Sequence, residues 1–310
     1  RYTGMLVFES VFALVVAFSN AIVICVLVAG RRTLMTNKFY IILSNLIVCT
    51  SLKGFVELAF ILPYYILQGE YTTGRKEFGY FSTRYELLVF NVSVLADYGV
   101  LFFSVLIGLN RFLAVSKSMK SWQAQVPIRD GFMILQTAIS CAVVWLCTAI
   151  VPSLFFIFEC QYKYDSKMGL YLSNCDGTRG IVESTVRMRL QQKVFLVILK
   201  CLIYLSYACT LAVLALYAVI LILLRQKRKT IRVDETRNSI SNTQLQILWQ
   251  SLLVFALYAA SIFCIFALPL IRYNSSITAF DVAYVENLLN LSIAAVYPIC
   301  FLAMSGEMKR

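Results

Sequence analysis

Between Leu87 and Val115 the chain reads LLVFNVSVLADYGVLFFSVLIGLNRFLAV. The run is apolar for long enough to cross the hydrocarbon core of a bilayer, which takes about 20 helical residues. It carries a single acid, Asp97, near its middle and passes through Asn110-Arg111-Phe112. A helix that is apolar on every face over such a length belongs in a membrane. Taking this span as 87–112, six more runs of spanning length can be drawn around it: 5–29, 39–67, 132–158, 194–224, 245–271 and 280–304. The sequence therefore predicts an all-α membrane protein, one seven-transmembrane-helix bundle occupying residues 1–310 as a single domain. No polar stretch exceeds the segment from Glu159 to Lys193, so no separate soluble domain is expected.

Hydrophobic residues make up 60% of the chain and charged ones 14%. The net charge of +12 would point to nucleic acid in a soluble chain. In a membrane protein it marks cytoplasmic loops instead, and no nucleic-acid partner is expected. Histidine is absent. That removes the commonest metal ligand and general base, so the reading is a non-enzyme with no metal and no cofactor. The chain opens at Arg1 without a methionine, and further residues are expected at both ends. No signal peptide is seen, and the first span is expected to serve as the insertion signal.

Orientation follows from Lys and Arg in the short connections. Arg31, Arg32 and Lys38 follow the first span, Lys117, Lys120 and Arg129 the third, and a basic run from Arg225 to Arg237 the fifth. The alternate connections hold Arg75, Lys76 and Arg84 after the second span, Arg272 after the sixth, and a longer loop of mixed charge after the fourth. Basic residues mark the cytoplasm, which sets the N-terminus outside and the C-terminus inside, in a multi-pass plasma-membrane protein. The run after the fifth span is suited to a cytoplasmic partner or anionic lipid. Of the five prolines, Pro63, Pro152, Pro269 and Pro298 fall within spans, where a kink can open space for a ligand or a motion. There is no internal repeat of the kind on which two-halved transporters are built.

Asn110-Arg111-Phe112, at the inner end of the third span, resembles the Asp/Glu-Arg-Tyr motif of rhodopsin-like G-protein-coupled receptors. Other positions match that family in order: Asn20 in the first span, Trp145 and Pro152 in the fourth, Tyr217-Ala218-Val219-Ile220 in the fifth, Phe263 and Pro269 in the sixth, and Tyr297-Pro298-Ile299-Cys300-Phe301 in the seventh. The resemblance implies coupling to a heterotrimeric G protein through Asn110, Arg111, Phe112, Tyr217, Tyr297 and Pro298, with Pro269 as the helix kink. It also implies an extracellular small-molecule or peptide ligand. The departures are specific. Asn110 cannot form an ion pair with Arg111, so the restraint on Arg111 must be weaker or come from elsewhere. The helix 2 acid and helix 7 Asn of the family's sodium site are missing, as is the Cys at the outer end of helix 3. Together with Cys160-Gln161-Tyr162-Lys163-Tyr164-Asp165 leading to Cys175, these departures resemble nematode serpentine chemoreceptors, the class X group or a near relative. The plainer alternative for Arg111 is a headgroup anchor.

Cys160 and Cys175 share one loop facing an oxidising compartment, where they are expected to form a disulfide rather than remain two free thiols. Lys53, Glu57 and Asp97 are charges within spans, at similar depth by helical rise. A charge at mid-membrane costs about 2.5–3.5 kcal/mol on insertion scales, so each needs a partner. The expected arrangement is a cluster with Lys53 between the two carboxylates, with Asn290 a further polar group of the same pocket. Such a cluster is either a ligand-pocket floor or activation restraint, or an ion-pair group that only specifies packing. The rival functions are an ion-coupled transporter that uses this cluster, and a ligand-gated channel.

Overall fold

The computed structural model describes residues 2–34, 38–63, 83–120, 130–157, 161–165, 170–174, 186–230 and 279–304, with isolated positions at 253, 256, 257 and 260. Its helices are α1 (Tyr2–Ala29), a single turn α2 (Arg31–Leu34), α3 (Lys38–Val56), α4 (Thr83–Lys120), α5 (Asp130–Ile157), α6 (Val186–Thr230) and α7 (Ala279–Met304). Two short strands, β1 (Gln161–Asp165) and β2 (Leu170–Asn174), stand between α5 and α6. Of the predicted helix over 245–271 only positions 253, 256, 257 and 260 are described, all of them helical, and Pro269 lies outside the described residues.

Among the described residues, five helices are long and apolar enough to cross a membrane: Val7–Ala29, Lys38–Phe60, Leu88–Leu113, Ile134–Phe156 and Lys200–Leu223. In α7 the apolar stretch Leu291–Cys300 is shorter. Large apolar side chains face outward along these spans; Phe18 is 70% exposed and Leu146 67%. In water such a surface would drive aggregation, whereas against lipid it is the expected exterior.

α1, α5 and α7 fall close to their predicted bounds. α4 and α6 run past theirs at both ends, to Thr83–Lys120 and Val186–Thr230. Hydropathy ends where the bilayer ends, but backbone hydrogen bonding continues a helix into water. The second predicted helix, 39–67, is corrected more deeply. Its α-helical part stops at Val56 and continues as a π-turn, Glu57–Ile61, in which the Leu62 N–H donates to the Glu57 carbonyl five residues back. Pro63 follows immediately. A proline has no N–H to donate and its ring clashes with the carbonyl four residues earlier, so a widened turn at this point relieves the helix.

The bundle is all helical as expected, and a small hairpin is added in one connection. β1 and β2 form an antiparallel ladder running from Gln161↔Asn174 to Asp165↔Leu170. β1 packs on α4, and it follows α5, whose Phe155 meets Phe90 of α4 at 5.3 Å. None of the spans includes the hairpin.

The spans α1, α3, α4 and α5, consecutive in the chain, alternate in direction. Phe103 of α4 meets Trp145 of α5 at 5.5 Å, which with the Phe90–Phe155 pair makes α4 and α5 antiparallel. Asn20 of α1 and Thr50 of α3 join two further antiparallel helices: the Thr50 hydroxyl donates to Asn20 Oδ1 at 2.7 Å, while Asn20 Nδ2 donates to the Val16 carbonyl at 2.9 Å. The largest buried cluster is built from α1, α3, α4, α5, α6 and α7 around Leu43, Leu46, Ile47, Phe103, Val213, Ile220 and Val296. Trp145 is tied to this centre because its Nε1 donates to Asn45 Oδ1 of α3 at 2.7 Å. Interhelical hydrogen bonds of this kind average about 0.6 kcal/mol in membranes, so their value here is more in fixing rotation than in stability.

Candidate functional site

α3 and α4 approach closely in mid-membrane because Gly99 carries no side chain. A Cβ built there would lie 2.5 Å from Cys49 Sγ. Half a turn from Gly99 on α4 stands Asp97, and one turn beyond Cys49 on α3 stands Lys53. Lys53 Nζ meets Asp97 Oδ1 at 2.9 Å and Oδ2 at 3.0 Å, so the ammonium bridges both carboxylate oxygens. The two ends differ in environment: the Lys53 side chain is 6% exposed and that of Asp97 40%. Beside Asp97, Tyr98 accepts a hydrogen bond from Ser206 of α6 at 3.2 Å. The pair therefore sits at a junction of three helices, with its acid toward open space.

The predicted cluster is found in part. The Lys53–Asp97 half is formed. Glu57 is fully buried and opens a π-turn that packs against α1. The side chain of Asn290 lies outside the described residues. One charge was missed: Glu9 falls within the first span and is buried, at 4% exposure. The signal was an acid in an apolar run, the same signal that singled out Asp97.

The second site lies at the far end of α4. The Arg111 guanidinium lies over the Phe39 ring, 3.8 Å from its centroid. The hydroxyls of Tyr217 on α6 and Tyr40 on α3 are within electrostatic reach. Tyr217 is buried and its hydroxyl is within electrostatic reach of Tyr297 of α7. Three of the residues singled out in sequence, Arg111, Tyr217 and Tyr297, thus converge from three helices. Asn110 and Phe112 flank Arg111 and are half-buried, and Pro298 is buried beside Tyr297. Among the described residues, no carboxylate pairs with Arg111. Phe39 and Tyr40 were not anticipated as its neighbours.

Cys160 and Cys175 lie outside the described residues, yet they adjoin the ladder in sequence, directly before Gln161 and after Asn174.

The sequence matches, over residues 3–310, the family described as a protein of unknown function, DUF621. The chain belongs to the DUF621 family. No curated protein matches it. In this DUF621 chain, function must be read from the two sites themselves: a mid-membrane ion pair on α3 and α4, and an arginine held over aromatic rings where α3, α4, α6 and α7 meet.

Proposed function

We propose that this DUF621 protein is a seven-helix G-protein-coupled receptor of chemosensory type in the plasma membrane, with its N-terminus outside and residues 245–271 as the sixth span. The observation that carries the reading is the convergence of Arg111, Tyr217 and Tyr297 at one end of the bundle. A half-buried arginine among tyrosines at a helix end is poorly placed to anchor headgroups. It is well placed to be presented to a partner when the helices shift. A ligand binding from outside, near Asp97 and beneath the hairpin, would act through its differential affinity for two arrangements of the helices. No covalent chemistry is involved.

Arg111→Ala is expected to reduce G-protein nucleotide exchange at least about tenfold, equivalent to about 1.4 kcal/mol of coupling, while surface expression stays normal. Wild-type exchange in the variant would reduce Arg111 to an anchor. A second reading, ion-coupled transport, is favoured by the buried acids Glu9 and Glu57 and by the Lys53–Asp97 pair. Retained coupling in Arg111→Ala, together with proton flux abolished by Asp97→Asn, would move the assignment there.

Orientation and the outer loop are tested together. Continuing the hairpin register by one pair would set Cys160 opposite Cys175. Cross-strand neighbours stand about 4.5–5.5 Å apart, within disulfide range. A bridge closing a loop of that length would contribute about 3 kcal/mol. A membrane-impermeant maleimide applied to intact cells should label the pair only after reduction. Labelling without reduction would exclude the bridge, and labelling only after permeabilisation would reverse the orientation.

A further inference from the structure

Arg111 raises a question that the receptor reading leaves open. Its sequence neighbour Asn110 offers no charge, and no carboxylate among the described residues pairs with it, yet its guanidinium is held in one place. What holds it is an aromatic face. Phe39 is the second residue of α3, directly after the connection from α1 and α2, and its ring sits under the guanidinium at 3.8 Å. The ring is itself fixed: Tyr40 meets it edge-on at 5.5 Å, and it packs against the central apolar cluster. A cation over a desolvated ring is attracted by the ring's quadrupole without needing an acid. Such a contact is directional, short-ranged and broken by a small separation of α3 from α4.

We propose that Phe39 is the positioning residue that restrains Arg111 in the resting state, a cation–π contact between α3 and α4 standing where an ion pair with residue 110 would otherwise serve. This rests on the receptor reading given above. A guanidinium stacked on the protein's own ring is withheld from a partner. Release requires only that the start of α3 and the end of the α4 span move apart, and no buried charge is left behind because the ring is neutral. Tyr217 and Tyr40 face the same guanidinium from α6 and α3, so a released Arg111 has polar groups to move toward.

The test uses the full chain reconstituted with a heterotrimeric G protein and no ligand, reading basal nucleotide exchange. Phe39→Leu keeps apolar volume but removes the ring, and basal exchange should rise about fivefold, the factor a contact of this kind supplies. Phe39→Trp retains an aromatic face and should hold exchange near the wild-type rate. Basal exchange unchanged or lowered in Phe39→Leu, with the protein folded, would overturn the restraint. A thermal-stability cycle of Phe39→Leu against Arg111→Met reads the contact whether or not the protein couples to anything. Additive effects there would show that ring and guanidinium do not interact. Coupling between the two in that cycle, with no exchange in any variant or in wild type, would leave the contact standing and remove the receptor reading and the restraint with it.

Discussion

Lys53→Met is expected to destabilise the bundle by about 3 kcal/mol, and Asp97→Leu by more. Removing one member of a buried ion pair typically costs roughly 3–5 kcal/mol, because the survivor is left charged in a medium that solvates it poorly. The two survivors here are not equivalent. Lys53→Met leaves an acid whose side chain is 40% exposed, whereas Asp97→Leu leaves an ammonium only 6% exposed. The more open acid is the less costly one to leave alone, so the first loss belongs at the low end of the range. The double variant Lys53→Met/Asp97→Leu should recover most of the loss, since apolar side chains of similar volume often replace a buried pair without penalty. Unfolding in detergent, followed for all four proteins, checks both claims. Simple additivity would show that the pair is not coupled. A larger loss in Lys53→Met than in Asp97→Leu would show that the burden of burial lies on the acid instead.

The ion pair was legible because a bilayer makes depth readable. Lys53 and Asp97 interrupt otherwise apolar runs at matching distances from the helix ends, and opposite charges at one depth in neighbouring helices have strong reason to meet. Glu9 carried the same signal. Arg111, Tyr217 and Tyr297 were found through resemblance, which places residues on helices in order. What neither route supplies is rotation about the helix axis. A span apolar all round has no amphipathic stripe to show which face turns inward. Asn45 could not be matched to Trp145 for that reason, nor Phe39 to Arg111. The π-turn at Glu57–Ile61 was hidden for a different one: Pro63 announces a disturbance, but the sequence does not say whether the helix kinks, breaks or widens. The hairpin had a local signal in Tyr162, Tyr164 and Tyr171, residues that favour strands, set within a loop read only for its charge and cysteines.

Gly99→Ala is the second large effect expected, and its sign depends on Cys49. On an isolated helix, alanine is favoured over glycine by about 0.8–1.0 kcal/mol. In this bundle the added methyl would stand 2.5 Å from Cys49 Sγ and 3.2 Å from Cys49 Cβ. Cys49 is fully buried, so its sulfur has nowhere to swing without displacing another neighbour. Overpacking of this kind costs about 1–3 kcal/mol, enough to outweigh the propensity gain and leave the variant less stable than wild type. In a Cys49→Ala background the shortest contact is gone and the remaining one needs only a few tenths of an ångström of give. There Gly99→Ala should become neutral or stabilising, and thermal unfolding of the four combinations shows whether the sign turns. If Gly99→Ala destabilises equally in both backgrounds, the close approach of α3 and α4 is not what glycine is there to allow. The consequence reaches the charges, because Lys53 lies one turn beyond Cys49 and Asp97 half a turn from Gly99. Widening the gap between the helices lengthens the ion pair, so Lys53→Met should cost less in Gly99→Ala than in wild type. The same separation of α3 and α4 would draw Phe39 away from Arg111, which makes the mid-membrane glycine contact a place where one helix displacement is felt at both sites.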